Sequence, residues 1–160
     1  PSHPLRILRL TTSAPRYSFH DVCRTSAVLA ALAAIASATT VTVTNNCGYE
    51  VDPGFYPAAT ASDGGRIWGR TGCDASGNCQ TGGCSGGENC TAPAAFTINS
   101  WESLDFFNPS TTDGFNVAVT ITPGTGCTTG AQACTAQDEG DGCGMTSSCP
   151  TGTDYTVSFC

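Results

Sequence analysis

An all-β fold, an antiparallel sandwich or flattened barrel held by disulfides, is predicted by three observations. Eleven of the 160 residues are cysteine, a density typical of oxidising compartments and foreign to the cytosol. Nineteen are glycine and only 12% are charged, a composition that suits short strands joined by tight turns. Several segments alternate apolar and polar residues with period two, and no repeat or long helical period is present. The length fits one domain.

The first 38 residues read as a leader. Arg24 precedes an apolar run, Ala27-Val-Leu-Ala-Ala-Leu-Ala-Ala-Ile-Ala36, which ends in the small residues Ser37 and Ala38. A basic stretch, an apolar run and a small-x-small end make a secretory signal with cleavage expected after Ala38. The run is too short to span a bilayer, which needs about 20 residues. No function is assigned to Pro1–His20. Residues 39–160 then form the domain, and the protein is expected to be secreted, extracellular or in the cell wall, and monomeric.

Charge is unevenly placed. There is no lysine, and Arg6, Arg9, Arg16 and Arg24 all lie in the leader. Residues 39–160 carry Arg66 and Arg70 against twelve acids, a net charge of about −10. Such a surface repels nucleic-acid phosphates and anionic lipid headgroups, so neither nucleic acid nor membrane is expected as a partner. Both histidines, His3 and His20, also lie in the leader. Residues 39–160 therefore offer no Ser-His or Cys-His nucleophile and no histidine metal ligand. Only Cys79 and Cys84, with four residues between them, have a spacing that zinc motifs use, and no second such pair accompanies them, so no metal and no cofactor is expected. With Cys23 set aside, Cys47, Cys73, Cys79, Cys84, Cys90, Cys127, Cys134, Cys143, Cys149 and Cys160 remain, an even number that permits complete pairing.

The strands follow in order. Thr40–Thr44 alternates, with Val41 and Val43 on one face. Gly65–Thr71 is a second strand, with Arg66, Trp68 and Arg70 on one face. Residues 72–91 are mostly Gly, Asn, Ser and Cys, and only crosslinks can order so apolar-poor a stretch. Phe96–Asn99 and Leu104–Phe107 are short strands, the latter ended by Asn108-Pro109. Phe115, Val117, Val119 and Ile121 alternate up to Pro123-Gly124. Residues 124–150 read as loop, and Tyr155–Phe159 alternates to the final Cys160.

Four ordered stretches carry a family likeness: Thr42–Cys47; Gly65–Cys73 running into Cys79-Gln-Thr-Gly-Gly-Cys84; Ala95-Phe-Thr-Ile followed by Leu104-Asp-Phe-Phe and Asp113-Gly-Phe-Asn116; and Cys149–Cys160. Through these the chain resembles the thaumatin-like proteins, pathogenesis-related family 5. Ten cysteines and a short 124–148 region resemble the small form, which lacks the helical, disulfide-rich second domain. The stretch between Tyr49 and Gly65 is short for the family, so a core hairpin or edge pair is expected to be missing there. The resemblance implies the bridges Cys47–Cys160, Cys73–Cys79, Cys84–Cys90, Cys127–Cys149 and Cys134–Cys143.

Larger relatives carry an acidic cleft of one Arg, one Glu and three Asp that binds, and sometimes slowly cuts, β-1,3-glucan. The Arg is matched by Arg66, with Arg70 as the alternative. The Glu position is Ala95, the first Asp is Asn108, the second is Asp113, and the third lies in the absent region. Glycoside hydrolysis needs an acid and a second carboxylate, so catalytic residues are assigned to none of these positions, and enzymatic activity is not expected. Glu102 and Asp105 are nearby acids, read as solvated. Trp68, Phe106 and Phe107 are candidate cleft aromatics, and Trp101 and Tyr56 are further rings. Asn89-Cys90-Thr91 is an N-glycosylation sequon.

The function implied is binding of β-glucan or another cell-wall polysaccharide, in defence against fungi or in wall remodelling. The alternative is inhibition of a secreted glycoside hydrolase such as a xylanase; weak endo-β-1,3-glucanase activity ranks third.

Overall fold

The computed structural model describes residues 4–10, 38–56, 65–84, 91 and 93–160. Ten strands occur among them: β1 Pro4–Leu10, β2 Thr39–Asn45, β3 Asp52–Tyr56, β4 Gly65–Arg70, β5 Ala94–Thr97, β6 Leu104–Pro109, β7 Val119–Pro123, β8 Gln132–Cys134, β9 Ser147–Pro150 and β10 Tyr155–Phe159. They form two five-stranded sheets, β1-β2-β10-β7-β8 and β3-β4-β5-β6-β9. All pairings are antiparallel except β10 with β2, which are parallel. The expected all-β sandwich is what the chain forms.

The core lies between the sheets. Val41 and Val43 of β2, Val119 and Ile121 of β7, and Tyr155, Val157 and Phe159 of β10 line one inner face. Ile67, Ala94, Phe96 and Phe107 line the other. The Tyr155 ring bridges the layers: it meets Phe96 edge-on and Phe107 at a tilt, each with centroids 5.3 Å apart. Burying each such side chain contributes about 1.5–3 kcal/mol, and edge-to-face contacts add to that.

Four bridges join the expected cysteines: Cys47–Cys160, Cys73–Cys79, Cys127–Cys149 and Cys134–Cys143. Cys84 is also disulfide-bonded; its expected partner Cys90, like Asn89, lies outside the described residues. So do Cys23 and the apolar run 27–36.

Several expectations change. Strand β3 occupies the short 49–65 region, where an edge pair was expected to be missing. Its Gly54 makes this workable: the Trp68 ring of the neighbouring strand occupies the space that a Cβ at Gly54 would fill. The alternation from Phe115 becomes a strand only at Val119, because Asn116 turns aside: its Nδ2 donates to Gly69 O at 2.9 Å and to Thr81 Oγ1 at 3.0 Å. The expected loop 124–150 contains β8 and β9, each anchored by a buried cysteine, Cys134 and Cys149. Residues 4–10, inside the expected leader, pair along the outer edge of β2 from Pro4↔Thr44 to Leu10↔Thr39.

Candidate functional site

The register of the second sheet brings the family-matched positions into one row. Tyr56 lies opposite Arg66, Arg66 opposite Ala95, and Ala95 opposite Asn108. Since side chains alternate faces along a strand, all four project from the outer face, while their neighbours Ile67, Ala94 and Phe107 face the core. Asp113 joins the row from the loop after β6. Its Oδ2 accepts from Arg66 Nη1 at 3.4 Å, with both side chains about one-third exposed. An ion pair this open contributes at most about 1 kcal/mol.

Arg70 does not belong to this row. It sits at the far end of β4, where its Nη2 donates to Asp52 Oδ2 at 2.8 Å. Between the two arginines, Trp68 is covered by the loop that follows β4. Its Nε1 donates to Gly82 O at 2.9 Å, and the residue is 5% exposed. Trp68 is therefore a loop anchor and not a cleft aromatic. Phe107 is likewise corrected: it is 1% exposed on the inner face, packed against Tyr155. Phe106, of opposite parity, is half-buried on the outer face between Thr97 and Ser148, two residues from Asn108. Trp101 is 70% exposed in the turn Trp101–Ser103 before β6.

The two nearby acids do not complete a catalytic pair. Asp105, expected to be solvated, is fully buried on the core side of β6. Its Oδ1 accepts from Asn99 N at 2.8 Å and Thr151 Oγ1 at 3.2 Å, and its Oδ2 from Thr39 Oγ1 at 3.2 Å and Tyr155 Oη at 3.4 Å. Glu102 is exposed in the turn at φ 57°. Among the described residues Asp113 is thus the carboxylate the row contains, where glycoside hydrolysis needs two about 5–9.5 Å apart. The row offers a guanidinium, an amide, a carboxylate and the rings of Tyr56 and Phe106, groups that hydrogen-bond hydroxyls and stack on sugar rings.

The loop after β4 is shaped by its own polar side chains. Asp74 Oδ1 accepts from the backbone N–H groups of Ser76 (2.8 Å) and Asn78 (3.0 Å), and Asn78 Nδ2 donates to Oδ2 at 3.1 Å. The Asn78 side chain, with the backbone donors, holds the Asp74 carboxyl below its ordinary value. Composition alone marks this stretch as bridge-dependent but does not reveal the internal cap.

The chain is similar to known proteins. The model of the Thaumatin family matches residues 23–160. Thaumatin-like pathogenesis-related protein 4 of Avena sativa is 35% identical, over 83% of this chain and 94% of the relative. A thaumatin-like protein of Oryza sativa subsp. japonica is 34% identical, over 78% of this chain and 86% of the relative. The solved thaumatin-like xylanase inhibitor TLXI superposes with a TM-score of 0.54 at 23% identity, covering 75% of this chain and 98% of that one; it shares the fold. With residues 23–160 matched by the family model and relatives 34–35% identical over most of their length, the chain belongs to the thaumatin family.

Proposed function

We propose that this is a secreted, monomeric protein, processed after Ala38, that binds cell-wall β-glucan without cutting it, in defence or wall remodelling. The observation that carries the reading is the row Tyr56–Arg66–Ala95–Asn108 with Asp113 beside it. It keeps hydrogen-bonding and stacking groups of a sugar-binding surface, while Ala95 and Asn108 can neither donate a catalytic proton nor attack. The pathogenesis-related relatives support a defence role, and the bridged cysteines suit an extracellular setting.

The test is co-sedimentation of disulfide-intact protein with insoluble β-1,3-glucan, together with an assay for reducing ends released from soluble β-1,3-glucan. Binding is expected, weakened about tenfold by Arg66→Ala and unchanged by Thr122→Ala on the other sheet, with no sugar released. Turnover that disappears in Asp113→Asn would show a glucanase instead.

A second reading is inhibition of a secreted glycoside hydrolase, supported by the fold shared with a protein titled a xylanase inhibitor. Protein that stays in the supernatant but slows a xylanase in solution would establish it.

A further inference from the structure

A second concave surface lies at the other end of β4, beyond the loop that covers Trp68. It is a groove of about 540 Å³, within the range of small-ligand sites. Thr71 and Thr81 form part of it, their hydroxyls 2.7 Å apart. Asn116 is fixed beside them by its two donated hydrogen bonds, and its Oδ1 is buried without a donor among the described residues. A buried acceptor of this kind is unusual in a folded protein, and a ligand hydroxyl reaching the floor would supply the missing donor. Gln80 adds an amide to the lining.

The rim carries an aromatic platform. Tyr49 is 53% exposed, among the most exposed large rings described. It is held in place at both ends: its backbone O accepts from Asn45 Nδ2 at 2.9 Å, and its hydroxyl lies 3.7 Å from Sγ of the bridged Cys160. A ring fixed by a turn and a disulfide presents a face at little entropic cost.

The charges select the ligand. Arg70, the groove's cation, is paired with Asp52, and Glu50 and Asp74 leave a negative excess. Phosphates, sulfates and uronic acids are repelled. The scarcity of apolar lining other than Tyr49 disfavours a greasy ligand. A neutral polyhydroxylated ring fits: its C–H face stacks on Tyr49, and its hydroxyls donate to carboxylate and amide oxygens.

We propose that this groove is a second glycan subsite, taking a neutral oligosaccharide of a few rings. It rests on the glycan-binding reading above but uses different residues. Two subsites on one rigid domain raise the effective concentration of a repeating polymer, so an insoluble glucan is retained more tightly than either subsite alone explains.

The test is a ¹H–¹⁵N NMR titration of the disulfide-intact protein with a soluble β-1,3-glucan oligosaccharide, and separately with an acidic oligouronide. Variants Tyr49→Ala, Tyr49→Phe and Asp113→Asn are compared. The expected result is shifts of the Thr71, Thr81 and Asn116 amides with the neutral sugar. These weaken about tenfold in Tyr49→Ala, persist in Tyr49→Phe and Asp113→Asn, and are absent with the uronide. Shifts confined to Arg66 and Asp113 would overturn the second subsite and leave the first reading standing. Shifts confined to the groove would do the reverse. No shifts with the neutral sugar would sink both, and equal shifts with the uronide would overturn the neutral-sugar assignment.

Discussion

The hydroxyl of Tyr155, on the central β10 of one sheet, donates to Oδ2 of Asp105, on β6 of the facing sheet, at 3.4 Å. Both residues are buried between the layers, Asp105 fully and Tyr155 at 2% exposure. Asp105 also collects Thr39, Asn99 and Thr151. One side chain thus ties together the start of β2, the turn after β5, the loop after β9 and the start of β10.

Removing that carboxyl strands several buried donors at once. Asp105→Ala is expected to cost about 3–5 kcal/mol, because unmade buried hydrogen bonds cost more than made ones contribute. Asp105→Asn, which keeps the shape and one acceptor oxygen, should lose less. Denaturant unfolding of the disulfide-intact proteins measures both. A loss under about 1 kcal/mol for the alanine variant would contradict the bridging role.

The same pair sets an alkaline limit on stability. Burial, then the Asp105 charge and the hydrogen bond to it, push the Tyr155 phenol well above its ordinary value. The folded state therefore holds this proton more tightly than the unfolded chain, whose tyrosines ionise near pH 10. Its contribution is complete below about pH 10 and is lost as the pH rises further. Tyr155→Phe should be flatter in stability than the parent between pH 10 and 11.5, measured quickly enough that disulfides do not exchange. Superimposable slopes would remove Tyr155 as the cause.

The bridges should not be equivalent. Cys47–Cys160 spans a separation of 113 residues and Cys73–Cys79 spans six. On the chain-entropy model, opening the longer loop costs about 2.5 kcal/mol more. The paired Cys→Ala variants at 47 and 160 should therefore melt well below those at 73 and 79. Equal melting losses would contradict the model for this protein.

Gly54 is expected to be irreplaceable. A methyl there would collide with the Trp68 ring, and the ring can move only by giving up its hydrogen bond to Gly82. Gly54→Ala should cost about 1–3 kcal/mol and shift tryptophan emission to longer wavelength as Trp68 meets water. Unchanged emission and stability would show that the strand can slide to make room.

How much of this was legible in the sequence depended on whether a feature was local. Val41 and Val43, or Tyr155, Val157 and Phe159, announce their strands because one face of each is buried throughout. β3 does not, since Pro53 and Gly54 are poor strand residues and only the Trp68 ring explains them. β8 and β9 are too short to show a period and are fixed by Cys134 and Cys149. At the site, Arg66, Ala95, Asn108 and Asp113 were identifiable by family pattern, yet their placement in one row required the inter-strand register. Asp105 carried a readable signal: it shares parity with Phe107, so an inward-facing aromatic two residues away implied an inward-facing carboxyl. The groove beside Tyr49 gathers residues from four separate stretches, and no local pattern joins them.

The parallel pairing of β2 with β10, sealed by Cys47–Cys160, turns most of this molecule into a closed ring. Its two ends lie side by side and are covalently tied. A protease that nicks any loop between those cysteines opens the ring without releasing a piece; the severed ends stay tethered beside each other and can re-form their contacts. A fragment escapes only after two cuts, and where one of the inner bridges spans the cuts, not even then. Survival under proteolysis then depends on how many cuts accumulate before the ring can close again.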